Sequence, residues 1–169
     1  VRTAGKTMTL ARRFYLSATR ALQPVLLLGV RVYSRITGNP RARIVVFNEY
    51  GEVLLLKNVL SHDGKWVVPG GGVKRGEPWA AGARRELHEE TGIDKPLESF
   101  RSLGSVSPQA MKNMHFTAVV FALVVKKYEL PPELYNPREI VCTGWFLPDA
   151  LPDDTNELVP LLLERAKQG

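Results

Sequence analysis

Residues 71–93 constrain this chain more than any other stretch, because they run from a glycine-rich turn into a short helix crowded with carboxylates. In the turn, Pro69-Gly70-Gly71-Gly72, missing Cβ atoms permit close backbone approach, and the N–H groups are placed to face a phosphate. Pro78 suits a first helical position, where its absent N–H costs nothing. Ala80, Ala81, Ala83 and Leu87 favour the helix, Ala83 and Leu87 give it a narrow inward stripe, and Gly92 fits a left-handed C-terminal cap. Glu86, Glu89 and Glu90 are spaced three and four apart and share one face. A Glu-rich helix is usually only a solvated face. Here, however, Glu77 and Arg85 arrive at fixed offsets beside the glycine turn, and Arg85 is expected to pair with Glu77 through a charge-assisted hydrogen bond. Clustered like charges repel, by on the order of a few tenths of a kcal/mol per pair. A cation that takes oxygen ligands turns that repulsion into coordination, with Mg²⁺ or Mn²⁺ the natural candidate.

Gly71, five residues, Glu77, seven residues and then Arg85-Glu86-Leu87-His88-Glu89-Glu90-Thr91-Gly92-Ile93 resembles the Nudix box at every fixed position. The resemblance implies an α/β/α sandwich with a mixed sheet. It also implies Mg²⁺-dependent hydrolysis of a nucleoside diphosphate linked to another moiety. Carried over by position, Glu86, Glu89 and Glu90 are the implied metal ligands, Glu89 also assists catalysis, and Glu77 with Arg85 shapes the loop.

The length, 169 residues, suits one domain with a proper core, and 44% hydrophobic with 24% charged residues reads as soluble and globular. Cys142 is the sole cysteine, so no intrachain disulfide forms, and its neighbours Val141 and Thr143 mark it as a core strand residue. A reducing, cytoplasmic setting is the expectation. The net charge of +6 is uneven: nine basic residues precede Glu49 and no acid does, which leaves 14 basic against 17 acidic residues afterwards.

Residues 1–38 therefore read as a basic arm ahead of a catalytic domain over 39–169. Residues 8–22 are compatible with an amphipathic helix, and residues 25–32 are apolar but too short to span a bilayer. Three roles compete for the arm. It is an extra helix packed on the domain, or it contacts an anionic membrane or nucleic acid, or it is an organelle-targeting segment.

Strand patterns follow at 43–47, 53–57, 66–68, 100–106, 115–125 and 139–146, with a closing helix over 158–167. Their apolar runs suit a sheet covered by helices on both faces. Trp66 is placed to stack on a base or, as is more common, to pack beneath the turn.

For the chemistry, Glu139 at the start of the last strand is the first candidate for the acid that activates water, and Glu133 the second. Lys57 and Arg43, at strand ends, and Gly71 and Gly72 in the turn are the candidate phosphate contacts. His88 is expected to face solvent, and His62 and His115 lack partners at zinc-ligand spacing. Family members acting on ADP-ribose tend to carry a proline where Pro108 stands, yet the residues after it lack the usual glycine. Nucleoside triphosphates, nucleotide sugars, dinucleoside polyphosphates and RNA 5′ ends stay open. The alternative to an enzyme is a nucleotide-binding sensor module, which usually loses box glutamates that this chain keeps. The isoprenoid-isomerising relatives would need a cysteine near the box. A strand-paired or swapped homodimer is compatible with such a sheet.

Overall fold

The computed structural model describes residues 40–59, 64–107 and 116–168, together with the backbone of Arg2–Thr3 and residue Ala18. His62, Pro108, His115, the apolar run 25–32 and all of the expected arm helix except Ala18 lie outside the described residues.

Among the described residues six strands form one mixed sheet: β1 (Arg2–Thr3), β2 (Arg41–Asn48), β3 (Val53–Asn58), β4 (Arg101–Val106), β5 (Ala118–Val125) and β6 (Ile140–Phe146). Their order is β1-β6-β3-β2-β5-β4. β2 and β5 run parallel over eight residue pairs, and the other pairings are antiparallel. Arg2 and Thr3, at the start of the stretch read as the basic arm, lie as a strand along β6 opposite Thr143 and Cys142. The edge of β6 offers unpaired backbone groups, and a short strand there satisfies them.

Two helices sandwich the described sheet, α1 (Trp79–Thr91) and α2 (Leu158–Gln168). Alternation along the strands sorts the core into two layers. Ala42, Ile44, Val46 and Leu54 join Ala83 and Leu87 of α1 on one face. Val45, Val53, Leu55 and Trp66 join Leu158, Val159, Leu162 and Leu163 of α2 on the other. Trp66 is thus a core residue, edge-on to Phe146 with ring centroids 4.9 Å apart. Cys142 is buried in the same layer. No helix among the described residues is long and apolar enough to cross a membrane.

The boundaries of α1 follow from local chemistry. Pro78 stands one place earlier than expected, as the N-cap with extended backbone (ψ 137°). Gly92 closes the helix at φ 76°, and its N–H donates to the His88 carbonyl at 2.8 Å.

Residues 66–72 are a wedge. They leave β3 at the Leu56–Val67 bridge and cross to the first half of β2, which β3 leaves unpaired, where Ala42 N–H donates to the Gly71 carbonyl (2.8 Å) and Ile44 N–H to the Pro69 carbonyl (2.9 Å). The approach at Gly70 is close: its φ is 143°, and a Cβ there would fall 2.2 Å from the Ala42 carbonyl oxygen. Gly70→Ala is therefore expected to lower the unfolding free energy by at least about 2 kcal/mol, combining strain with a backbone clash. Gly51→Ala, also at positive φ (76°) but facing open space, should cost only about 1 kcal/mol. Urea denaturation of both variants checks this, and equal losses would remove the contact with β2 as the cause.

Candidate active site

The inward stripe of α1 comprises Gly82, Ala83, Leu87, Glu90 and Thr91, so one of the three glutamates lies on the core-facing side. The carboxylates consequently sit at three depths. Glu90 is 6% exposed, the Glu86 side chain 15% and the Glu89 side chain 51%. Glu90 reaches the wedge, where the Gly70 N–H donates to its Oε2 at 2.8 Å. One N–H of the glycine turn thus meets a carboxylate of the chain itself. Glu86 lies against Gly71, whose absent Cβ would fall 2.1 Å from Glu86 Oε2.

Arg85 is the hub of the cluster. Its Nε and Nη2 grip Glu77 in a two-pronged pair (2.9 and 3.0 Å), as the spacing predicts. Nη1 reaches Glu86 (2.7 Å) and Glu89 (3.2 Å), and Nη2 also donates to the Gly72 carbonyl (2.9 Å). Glu77 in turn accepts the Lys74 N–H at 2.8 Å, which closes the loop before the helix. The hydrogen bonds from Arg85 hold the Glu77 carboxyl down at about 2.

The other two acids are shifted upwards. Burial raises Glu86, with Arg85 working against it. Burial pushes Glu90 up to about 8; the Gly70 N–H opposes this, Glu86 and Glu139 add to it, and Arg43 reduces it. Glu139 is exposed at the foot of β6, and its carbonyl accepts the Val59 N–H at 2.7 Å. Of the two candidate acids, Glu139 is the one coupled to Glu90, while Glu133 lies exposed in the preceding loop.

The remaining candidates separate. Lys57 is ion-paired with Asp154 and lies 5.2 Å over the Trp66 ring, on the α2 face. Arg43 sits near the start of β2, its guanidinium 5.2 Å from the Phe116 ring centroid. His88 does not face open solvent as expected. It is half-buried beside Tyr135, whose hydroxyl lies 3.2 Å from its Nε2. Sequence reasoning missed Arg41, which is coupled to Glu86 and Glu90. Its one signal was the two-residue spacing from Arg43, which puts both on one face of a strand.

Among the described residues, no three His, Cys, Asp or Glu side chains already form a cage for a metal ion. The donor set nevertheless suits a hard divalent cation. It is all oxygen, and Glu90 is a buried carboxylate, electrostatically coupled to Glu86 and Glu139, with a single N–H as direct relief. Glu86 keeps Oε2 clear of Arg85, which engages Oε1.

Because Glu90 titrates higher folded than unfolded, the metal-free protein loses stability as pH rises through roughly 4.5 to 8. Glu90→Gln cannot ionise and should flatten that decline. The variant should melt above the parent at pH 8 and close to it at pH 5, read by thermal denaturation in EDTA. A parallel offset at both pH values would count against a buried, ionising Glu90.

Comparison with known proteins agrees with this geometry. Residues 38–164 match the family model for the NUDIX domain. The RNA pyrophosphohydrolase of Pelagibacter ubique is 38% identical over 72 residues, covering 42% of this chain and 45% of that protein. The m7GpppN-mRNA hydrolase dcap-2 of Caenorhabditis elegans is 29% identical over 132 residues, covering 73% of this chain and 15% of that protein. The chain thus spans less than half the length of either relative. The crystal structure of a MutT NUDIX hydrolase from Burkholderia pseudomallei superposes with a TM-score of 0.63 at 26% identity, covering 75% of this chain and 96% of that one. With three quarters of its length matched, an unbroken run from Gly71 to Ile93 and this sheet between two helices, the chain belongs to the NUDIX domain family.

Proposed function

We propose that this protein is a divalent-metal-dependent pyrophosphohydrolase, cleaving the anhydride of a nucleoside diphosphate linked to a further group. The observation that carries this reading is the buried Glu90 carboxylate, fixed by the Gly70 N–H and coupled to both Glu86 and Glu139.

Glu86 and Glu90 would hold the Mg²⁺ (or Mn²⁺), with the more exposed Glu89 assisting. When bound, the ion supplies charge neutralisation and Lewis acidity at the phosphate oxygens. Glu90 contributes a fixed position, since its partner is backbone and its surroundings are core. Glu86 has more freedom and is steered by Arg85, which Glu77 holds in one orientation. Glu77 and Arg85 therefore act by positioning. Glu139 is solvent-accessible and next to this charge, so it is the group that takes the proton of the attacking water. Gly71 leaves room for the Glu86 carboxylate, which a Cβ there would displace, and the open space at Gly72 leaves the turn accessible to the substrate's phosphates.

The two relatives named above act on RNA according to their names, one as a pyrophosphohydrolase and the other on m7GpppN-mRNA, and this supports a phosphorylated or capped RNA terminus as the narrower reading of the substrate. The test is release of phosphate or pyrophosphate from a panel holding a 5′-triphosphorylated oligonucleotide, ADP-ribose, a nucleotide sugar and a dinucleoside polyphosphate. Turnover should require Mg²⁺ and stop with EDTA. Glu90→Gln and Glu139→Gln should each lower kcat by about 100-fold or more, with the folds intact by circular dichroism. Undiminished turnover in Glu90→Gln would overturn the ligand assignment. Tight nucleotide binding with no turnover on any substrate would favour a sensor.

A further inference from the structure

The two arginines at the start of β2 are not accounted for by the metal site. Arg41 and Arg43 lie two residues apart on one face of the strand, and both guanidinium groups stand over the same ring, 5.3 and 5.2 Å from the centroid of Phe116. That ring arrives just ahead of β5, where the Arg41 N–H donates to the Thr117 carbonyl at 2.9 Å. The two cations therefore share one aromatic support and repel each other. Burial, followed by the charge of Arg41, brings Arg43 down to about 9, and burial lowers Arg41 as well; both remain cationic at neutral pH.

Neither group forms an ion pair among the described residues. Arg43 Nη1 donates to the neighbouring Ala42 carbonyl at 3.1 Å, and Arg41 Nε is buried with no hydrogen-bond partner. Two partly buried like charges with no carboxylate in hydrogen-bonding contact, offset only through space by Glu86 and Glu90, are costly to a fold, and the cost is relieved when an anion enters. Guanidinium groups stacked on an aromatic face and still carrying unused donors match phosphate oxygens in both charge and geometry.

Their location ties them to the acids. The strand that carries them is hydrogen-bonded to the glycine wedge, with Arg41 opposite Gly72, and both arginines are coupled to Glu86 and Glu90. That coupling acts through space only: even without a cation on the glutamates, neither guanidinium has a carboxylate in direct contact among the described residues, and a bound cation would remove the remaining offset. The phosphate that follows a metal-held anhydride is therefore the group that the two guanidinium groups are suited to meet.

We propose that Arg41 and Arg43 form a two-guanidinium clamp, seated on Phe116, for a substrate phosphate beyond the anhydride that is cleaved. The clamp rests on the pyrophosphohydrolase reading and narrows it. Substrates with a chain of three or more phosphates are favoured over diphosphates whose far arm is a neutral sugar.

Inorganic tripolyphosphate is the probe, titrated calorimetrically against the full chain in EDTA, with orthophosphate and pyrophosphate alongside. Tripolyphosphate should bind tightest, and Arg41→Gln and Arg43→Gln should each weaken it by about tenfold or more. Arg→Lys at either site keeps the charge but loses the planar fork, so it should fall between the two. The lysine variants also serve if a glutamine variant fails to fold. A purely structural pair predicts a lower melting temperature with unchanged affinity. The clamp predicts the reverse, with the free glutamine variants melting no lower and losing the stabilisation that tripolyphosphate gives. Affinities within twofold of the parent in all variants, or no preference for tripolyphosphate, would overturn it. Because binding is read without metal or turnover, a clamp that binds in a protein that hydrolyses nothing sinks only the enzymatic reading. Hydrolysis with unaltered binding in the variants sinks only the clamp.

Discussion

An acid on the packing side of a helix is the constraint around which the rest is arranged. Glu90 takes a place that Ala83 and Leu87 mark as apolar, and there its carboxylate loses the solvent that would stabilise its charge. The compensation offered by the chain is one backbone N–H, from Gly70. That N–H is available only because the wedge 66–72 crosses from β3 to β2, and the crossing is possible only because position 70 has no Cβ to meet the Ala42 carbonyl. A turn, a strand register and a helix face are thus joined at a single hydrogen bond.

Arg85 performs the complementary task at the surface. Held by Glu77 in a two-pronged grip, it spreads its remaining donors over Glu86, Glu89 and the Gly72 carbonyl. One guanidinium orders an otherwise repulsive set of acids and leaves the innermost one untouched. The gradient from exposed Glu89 to buried Glu90 separates a rigid group from adjustable ones along barely more than one turn of helix.

Much of this was legible in the sequence wherever short-range spacing decides the outcome. The Glu77–Arg85 pair, the Ala83–Leu87 stripe and the Gly92 cap follow from helical periodicity and from backbone conformations that favour glycine, and they appear as read. The sandwich also followed, since doubly apolar strands require cover on both faces. What escaped depended on contacts between distant segments. Arg41 gains its meaning from Phe116, which β5 brings alongside, and His88 is covered by Tyr135, 47 residues further on. The unequal depth of the three glutamates was implicit in the stripe, but it becomes visible only once the packing side of α1 is fixed against β2 and β5. The strand at Arg2–Thr3 had no local signature, because the open edge of β6 selects it.

The end of α1 has a reach beyond its own cap. A Cβ at Gly92 would fall 2.7 Å from the Tyr135 ring and 3.2 Å from Pro131, so the chain between Leu130 and Ile140 is pressed onto the helix terminus. That chain delivers Glu139. The span from Gly92 to Glu139 is therefore a calibrated arm: lengthening or shortening the proline-bearing segment displaces either its anchor at the glycine or the acid at its tip. Drift in this connection therefore changes where Glu139 stands relative to Glu90.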